Sequence, residues 1–224
     1  MVPVLELKIA TAMMAGWMAA SSPVPTPASD VALVTEVRAA TPVEVKLYDE
    51  NLRVSARIVL ERDGSADPET VNQITHLFRC RTTGHRAPMA KRTLAMLADL
   101  AERYEGKTID FVSAHRATRG ESWTSPHRAA RALDFRIKGV DLREIRDYLW
   151  RKYTEVGIGW YPYERFIHMD ARPGKADTAW TFMNFKNRYN PYWAEVARGN
   201  DPQRPAQQPA QRTPQRTAKR RPSS

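Results

Sequence analysis

The sequence predicts an α+β domain in which a small antiparallel sheet is packed by about three helices. Apolar residues that alternate mark short paired strands: Val43, Val45 and Leu47 lead into Asp49-Glu50-Asn51, and Val54, Ala56, Ile58 and Leu60 alternate after it. Between the strand signals lie three stretches with apolar residues at helical spacing. The chain has 224 residues, 42% hydrophobic and 27% charged, which suffices for one good-sized core and not for two large ones.

At the N-terminus, Lys8 precedes a mostly apolar run from Ile9 to Ala20, followed by Ser21-Ser22-Pro23-Val24-Pro25. A charge, a short apolar stretch and a small-residue junction match an export signal better than a membrane span, although Glu6 reduces the positive charge of the first segment. Residues 1–21 are therefore read as a signal peptide or N-terminal anchor and 22–42 as a linker. The expected location is periplasmic or cell-envelope associated.

Residues 43–60 read as a hairpin. Asp67-Pro68 supplies an N-cap and a first-turn proline for a helix with Val71, Ile74 and Phe78 on one stripe. A second helix is expected over 88–104, burying Leu94, Leu97 and Leu100 and stopping before Gly106. Thr108 to Ser113 reads as a strand that runs into a polar loop, Ala114 to Glu121. Leu133 to Ile137 reads as the next strand, and Asp141 caps a third helix carrying Leu142, Ile145 and Leu149. Val156 to Tyr161 and Phe166 to Asp170 form a second hairpin around Pro162-Tyr163-Glu164.

From residue 199 onward proline, glutamine and arginine replace large apolar groups, so the sequence predicts a basic, disordered tail. The formal net charge of +10 and a pI near 9.9 suit nucleic acid, an acidic membrane surface or an acidic cell-wall polymer. The bland reading of the tail is a solvated appendage; the functional one is loose contact with a polyanion or membrane surface, and no specific nucleic-acid partner is expected. The single cysteine, Cys80, excludes an intrachain disulfide framework and a cysteine-rich zinc finger. Histidine and carboxylate are then the available metal ligands.

One such set stands out. His127 precedes Asp134 in Ser125-Pro126-His127-Arg128-Ala129-Ala130-Arg131-Ala132-Leu133-Asp134, and His168 follows in Phe166-Ile167-His168-Met169-Asp170. Two imidazoles and a carboxylate suit a catalytic zinc that keeps one position open for water. His127 and Asp134 would stand about 23 Å apart along an extended strand and about 10 Å apart along a helix, so the chain between them must fold back, for example at Arg128-Ala129-Ala130. On the later strand, the period of two places His168, Asp170 and Phe166 on one face. Asp170 can orient a ligating histidine, poise water as a general base or form an ion pair. Arg136 alternates with Asp134 and is expected on the same face, and His115 occupies a strand-end loop where functional groups often sit. His76 and His85 are read as structural.

The stretch resembles the zinc peptidases that cleave bacterial cell-wall peptides, the group containing D-alanyl-D-alanine carboxypeptidases, and within it the murein endopeptidase K-like branch. The resemblance rests on Ser125, His127, Ala132 and Asp134, on Gly157-Ile158-Gly159-Trp160-Tyr161-Pro162, on Phe166-Ile167-His168-Met169-Asp170 and on Ser113-Ala114-His115-Arg116. It implies a hedgehog/DD-peptidase-like fold, His127, Asp134 and His168 as zinc ligands, Arg116 as a contact to a substrate carboxylate, and peptidoglycan peptides as substrate. Relatives outside this branch place an acidic base three residues before the final histidine, where Arg165 stands; Asp170 and then Glu164 are the expected catalytic carboxylates here, with His115 beside them. Two departures stand out: Ala130 replaces a glycine, which would strain a positive-φ position, and His115 replaces a tyrosine.

The reading of function is a zinc-dependent peptidoglycan peptidase acting through metal-activated water. Its alternatives are a non-catalytic cell-wall peptide-binding module on the same fold, in which Trp160 and Tyr161 line a groove, and a basic nucleic-acid-binding protein.

Overall fold

The computed structural model describes residues 41–199. The signal or anchor segment, most of the linker and all but the first residue of the basic tail lie outside them. Among the described residues, no helix is long and apolar enough to cross a membrane.

Among the described residues, eight strands form one mixed sheet and four helices accompany it. The first hairpin is β1 (Val43–Asp49) and β2 (Val54–Leu60), paired antiparallel with Val45 opposite Ile58. Buried Asp49 closes its turn by accepting from the amides of Asn51 and Leu52 and pairing with Arg81. α1 (Pro68–Leu77) starts where Asp67 accepts from the Thr70 amide at 2.9 Å. α2 (Lys91–Arg103) begins three residues later than expected, because Ala90 takes the cap position. Its buried Leu94, Leu97 and Leu100 pack in the core over β1.

The chain then enters β3 (Thr108–Ser113), which lies parallel to β1, and β4 (Ala132–Ile137), antiparallel to β3. α3 (Leu142–Lys152), capped by Asp141, leads to the hairpin β5 (Val156–Tyr161) and β6 (Phe166–Ala171). The last elements are β7 (Thr178–Met183), parallel to β5, β8 (Lys186–Tyr189) and α4 (Tyr192–Ala197).

The spatial order β2-β1-β3-β4-β6-β5-β7-β8 puts β4 and β6 at the centre. The sheet is thus larger than the small antiparallel one expected from the sequence, and four helices replace about three. Helical crossovers between β2 and β3 bring β3 parallel to β1, and the short connection from β6 to β7 passes the start of β5. Neither arrangement leaves a local alternation signal.

Alternation divides the sheet into two faces. Val45, Leu47, Ile109, Phe111, Leu133, Phe135, Ile158, Ile167 and Met169 join the helices in one apolar core. Their neighbours along the central strands, Asp134, His168 and Asp170, point to the other face and are also buried.

Candidate metal centre

Asp134 and His168 are direct cross-strand partners on β4 and β6. His168 Nδ1 lies 2.8 Å from Asp134 Oδ1. His127 arrives from the loop joining β3 to β4, and that loop folds back as the spacing demands. The Ala130 amide donates to the His127 carbonyl at 3.1 Å and the Arg131 amide to the Pro126 carbonyl at 2.9 Å. His127 Nε2 is thereby set 3.1 Å from His168 Nδ1 and 3.3 Å from Asp134 Oδ1. One ligand atom from each residue lies within 4.8 Å of the others, and no comparable histidine, cysteine or acidic trio occurs among the described residues.

The outer hydrogen bonds decide which ring nitrogens face inward. His127 Nδ1 is 2.6 Å from the Ala114 carbonyl, which can only accept, so Nδ1 carries the proton and Nε2 presents a lone pair. His168 Nε2 is 3.0 Å from Asp170 Oδ2, so Nε2 donates and Nδ1 presents a lone pair. Asp134 adds a carboxylate oxygen. Three acceptors then converge with no donor among them, an arrangement that repels unless a cation or an added proton occupies the centre. Two neutral imidazoles and one carboxylate fit a zinc ion.

The electrostatics of the trio point the same way. Burial pushes the His168 imidazolium down, but hydrogen bonds to Asp134 and Asp170 outweigh it and raise the pKa from 6.5 to about 9. Burial likewise pushes the Asp134 carboxyl up, and the charges and hydrogen bonds of His127 and His168 reverse this, holding it below the usual carboxylate range. A proton on His168 thus offsets the Asp134 carboxylate and takes the place of a cation between the acceptors.

The family described as peptidoglycan L,D-endopeptidase MepK matches residues 37–176 of the chain. The chain belongs to this family. Its curated relatives include peptidoglycan L,D-endopeptidase MepK of Escherichia coli K12, 28% identical over 122 residues that cover 48% of this chain and 64% of that protein. The Shigella flexneri protein of the same name matches to the same extent. A probable peptidoglycan L,D-endopeptidase MepK of Haemophilus influenzae is 38% identical over 58 residues, covering 26% of this chain and 31% of that protein. The chain thus spans less than two thirds of the length of these relatives. No solved structure gives a significant match.

Around the trio, this member of the MepK family arranges the remaining residues singled out by sequence in different ways. Asp170 is fully buried, and both of its oxygens are engaged: Oδ2 by His168 and by Arg172 Nη2 at 3.0 Å, and Oδ1 by Arg172 Nε at 2.8 Å. It sits behind the imidazole, on the ring nitrogen turned away from the trio. Arg116 reaches the trio: Nη1 is 3.7 Å from Asp134 Oδ2, and Nε is 3.1 Å from Glu121 Oε2. His115 is buried with both ring nitrogens occupied, Nδ1 at 3.0 Å from the His127 carbonyl and Nε2 at 2.9 Å from His85 Nδ1. It braces the loop that delivers His127. Burial, helped by the neighbouring His85, Arg128 and His127 and opposed by the bond to the His127 carbonyl, leaves its pKa below the ordinary histidine value.

Tyr161 and Trp160 part company because they alternate along β5. Tyr161 lies on the face of the trio, accepts a hydrogen bond from Trp180 Nε1 at 3.2 Å and stacks on Phe166, with centroids 4.3 Å apart. Burial raises its pKa first, and Asp134 adds to the effect. Trp160 lies on the opposite face, packed against the core with Arg146 4.7 Å over its ring. Arg136 alternates with Asp134, yet its guanidinium turns to Glu50, with Nη2 2.5 Å from Oε2. Glu164 is exposed in the β5–β6 turn.

Two contributors, Glu121 and Arg172, were missed by sequence reading, and a third, His85, was read as structural without its partner. His85 lies thirty positions from its partner His115 and carries no local signal. Glu121 and Arg172 belong to loops. A signal for the site face does exist in Gly157 and Gly159: a Cβ at Gly159 would lie 2.5 Å from the Trp180 ring, so the indole beside His168 occupies space that only glycine leaves open.

Proposed function

We propose that the chain is a zinc-dependent peptidoglycan peptidase that hydrolyses peptide cross-links or stem peptides by metal-activated water, in the cell envelope after export by its N-terminal segment. The observation that carries this reading is the convergence of three metal-competent lone pairs, from His127 Nε2, Asp134 Oδ1 and His168 Nδ1, in a chain of the MepK family.

His127, Asp134 and His168 would hold the ion. When bound, zinc lowers the pKa of a water and polarises a carbonyl. The protein's own groups supply the rest. Asp170 fixes the His168 ring by accepting from Nε2, which fits an orienting role in place of general base. Arg116, partly exposed beside Asp134, is suited to a free carboxylate of a stem peptide. The Tyr161 hydroxyl, on the same face, is suited to donate to an oxygen that gains charge during attack. With Asp170 engaged, the proton from the attacking water falls to Glu121, sheltered beside Arg116, or to Glu164 in the hairpin turn.

Digestion of purified muropeptides, followed by mass spectrometry, tests the proposal. Zinc-loaded wild type is expected to release peptide fragments, while a chelated sample and His127→Ala are expected to release none. Equal cleavage by all three, or none by the loaded wild type, would overturn it.

A further inference from the structure

We infer that Arg172 is a positioning residue for the metal centre, acting through Asp170 to fix the orientation of His168. The inference rests on the zinc reading above and assigns a role to a residue outside the proposed ligands.

The geometry is that of a relay. Arg172 Nε and Nη2 bond the two oxygens of Asp170 at 2.8 and 3.0 Å, a bidentate contact that sets the plane of the carboxylate. The same Asp170 Oδ2 accepts from His168 Nε2 at 3.0 Å. An imidazole rotates about its bond to Cβ, and a carboxylate alone permits several angles of approach. A carboxylate pinned on both oxygens permits one, which leaves His168 Nδ1 pointed at Asp134 and His127.

Two features of the surroundings show that the relay is built into the fold. Asp170 is fully buried whereas the Arg172 side chain is 22% exposed, so the arginine supplies the countercharge that an interior carboxylate needs. Gly157, on the neighbouring strand β5, makes room for the pair. A Cβ there would lie 2.0 Å from Asp170 Oδ2 and 2.5 Å from the Arg172 nitrogens. The arginine is itself anchored, its amide donating to the Glu155 carbonyl at 2.7 Å and its guanidinium lying 5.6 Å from the Trp180 ring centre.

The test is zinc affinity of the full chain, measured by competition with a chromophoric chelator, together with the visible absorption of the cobalt-substituted protein. Outer partners of metal-ligating histidines typically contribute about 10–100-fold in affinity. Arg172→Gln is expected to weaken zinc binding by about that factor and to alter the cobalt spectrum. In an Asp170→Asn background the same substitution is expected to have little further effect, since its route to the histidine is already cut. Arg172→Lys keeps the charge but cannot hold both oxygens in one plane, and is expected to fall between wild type and Arg172→Gln. It also serves where the glutamine variant does not fold. Wild-type affinity in either folded variant, or an undiminished loss in the Asp170→Asn background, would sink the inference while leaving the zinc proposal standing; failure of the wild type itself to bind zinc would sink the zinc proposal.

Discussion

Zinc binding should depend on pH in a way that reports His168 directly. In the metal-free protein, Asp134 and Asp170 overcome burial and hold this imidazole protonated up to about pH 9. A metal needs the Nδ1 lone pair, so the added proton must leave first. At pH 7, two pH units below that value, the charged form outnumbers the neutral one by about 100 to 1. The apparent zinc affinity should therefore rise by about tenfold per pH unit from 7 to 9 and then level off, with about one proton released per ion bound near neutrality. A histidine with the ordinary value would have levelled off by about pH 7. Competition against a chelator of known pH dependence gives the affinity, and calorimetry in two buffers of different ionisation enthalpy counts the protons. An affinity flat between pH 7.5 and 9, or proton release near zero, would refute the reasoning. The same proton stabilises the metal-free fold. The folded value lies above the unfolded one, so the contribution is complete below about pH 6.5 and is lost as pH rises through about 9. A rise from 6.5 to about 9 corresponds to about 3 kcal/mol, large enough for the metal-free protein to melt visibly lower at pH 9.5 than at pH 6.5, and for zinc to reverse the loss.

Other consequences are separable. Glu121→Gln is expected to lower kcat on muropeptides by about 100-fold or more and Glu164→Gln by less than about tenfold; the reverse order would return the proton-accepting role to the hairpin turn. Arg116→Ala is expected to raise KM for stem peptides with a free carboxylate, with little change for their amidated analogues, and an equal change for both would remove the carboxylate contact. Ala130 holds φ +50 while almost fully buried. Relief of left-handed strain returns about 1–2 kcal/mol and loss of a buried methyl costs about 0.8 kcal/mol, so Ala130→Gly should raise the unfolding free energy by up to about 1 kcal/mol. Denaturant unfolding that shows a clear loss would contradict this.

Much of the domain was legible because its signals are local. Alternation located both hairpins, the Asp67-Pro68 and Asp141 caps located α1 and α3, and the separation of His127 from Asp134 required the turn that the structure contains. Nonlocal features were not legible. Parallel pairing of β1 with β3 and of β5 with β7 depends on where crossovers return, and the four exposed residues of β8 carry no alternation. Within the site, the period of two placed His168 and Asp170 on one face but could not say which side of the imidazole the carboxylate would take. The same period separates Trp160 from Tyr161, so only one of them can face the trio. Arg172 has its meaning only beside Asp170 and Gly157, a meeting of two strands and a loop that no stretch of sequence shows by itself.

The central placement of β4 and β6 gives the site two unequal parts. Asp134 and His168 face each other across neighbouring strands with three further strands on either side of the pair. A slip of one residue between those strands would turn both side chains into the helical core, so their alignment is as cooperative as the fold itself. Their amides should exchange with solvent only through global opening. His127 comes instead from the loop between β3 and β4, and its place there depends on hydrogen bonds of its ring to the Ala114 carbonyl and of its own carbonyl to His115 and to the Arg116 amide. Two of the three proposed ligands thus share the stability of the sheet, and loss of the His115 brace should loosen His127 before it loosens the pair.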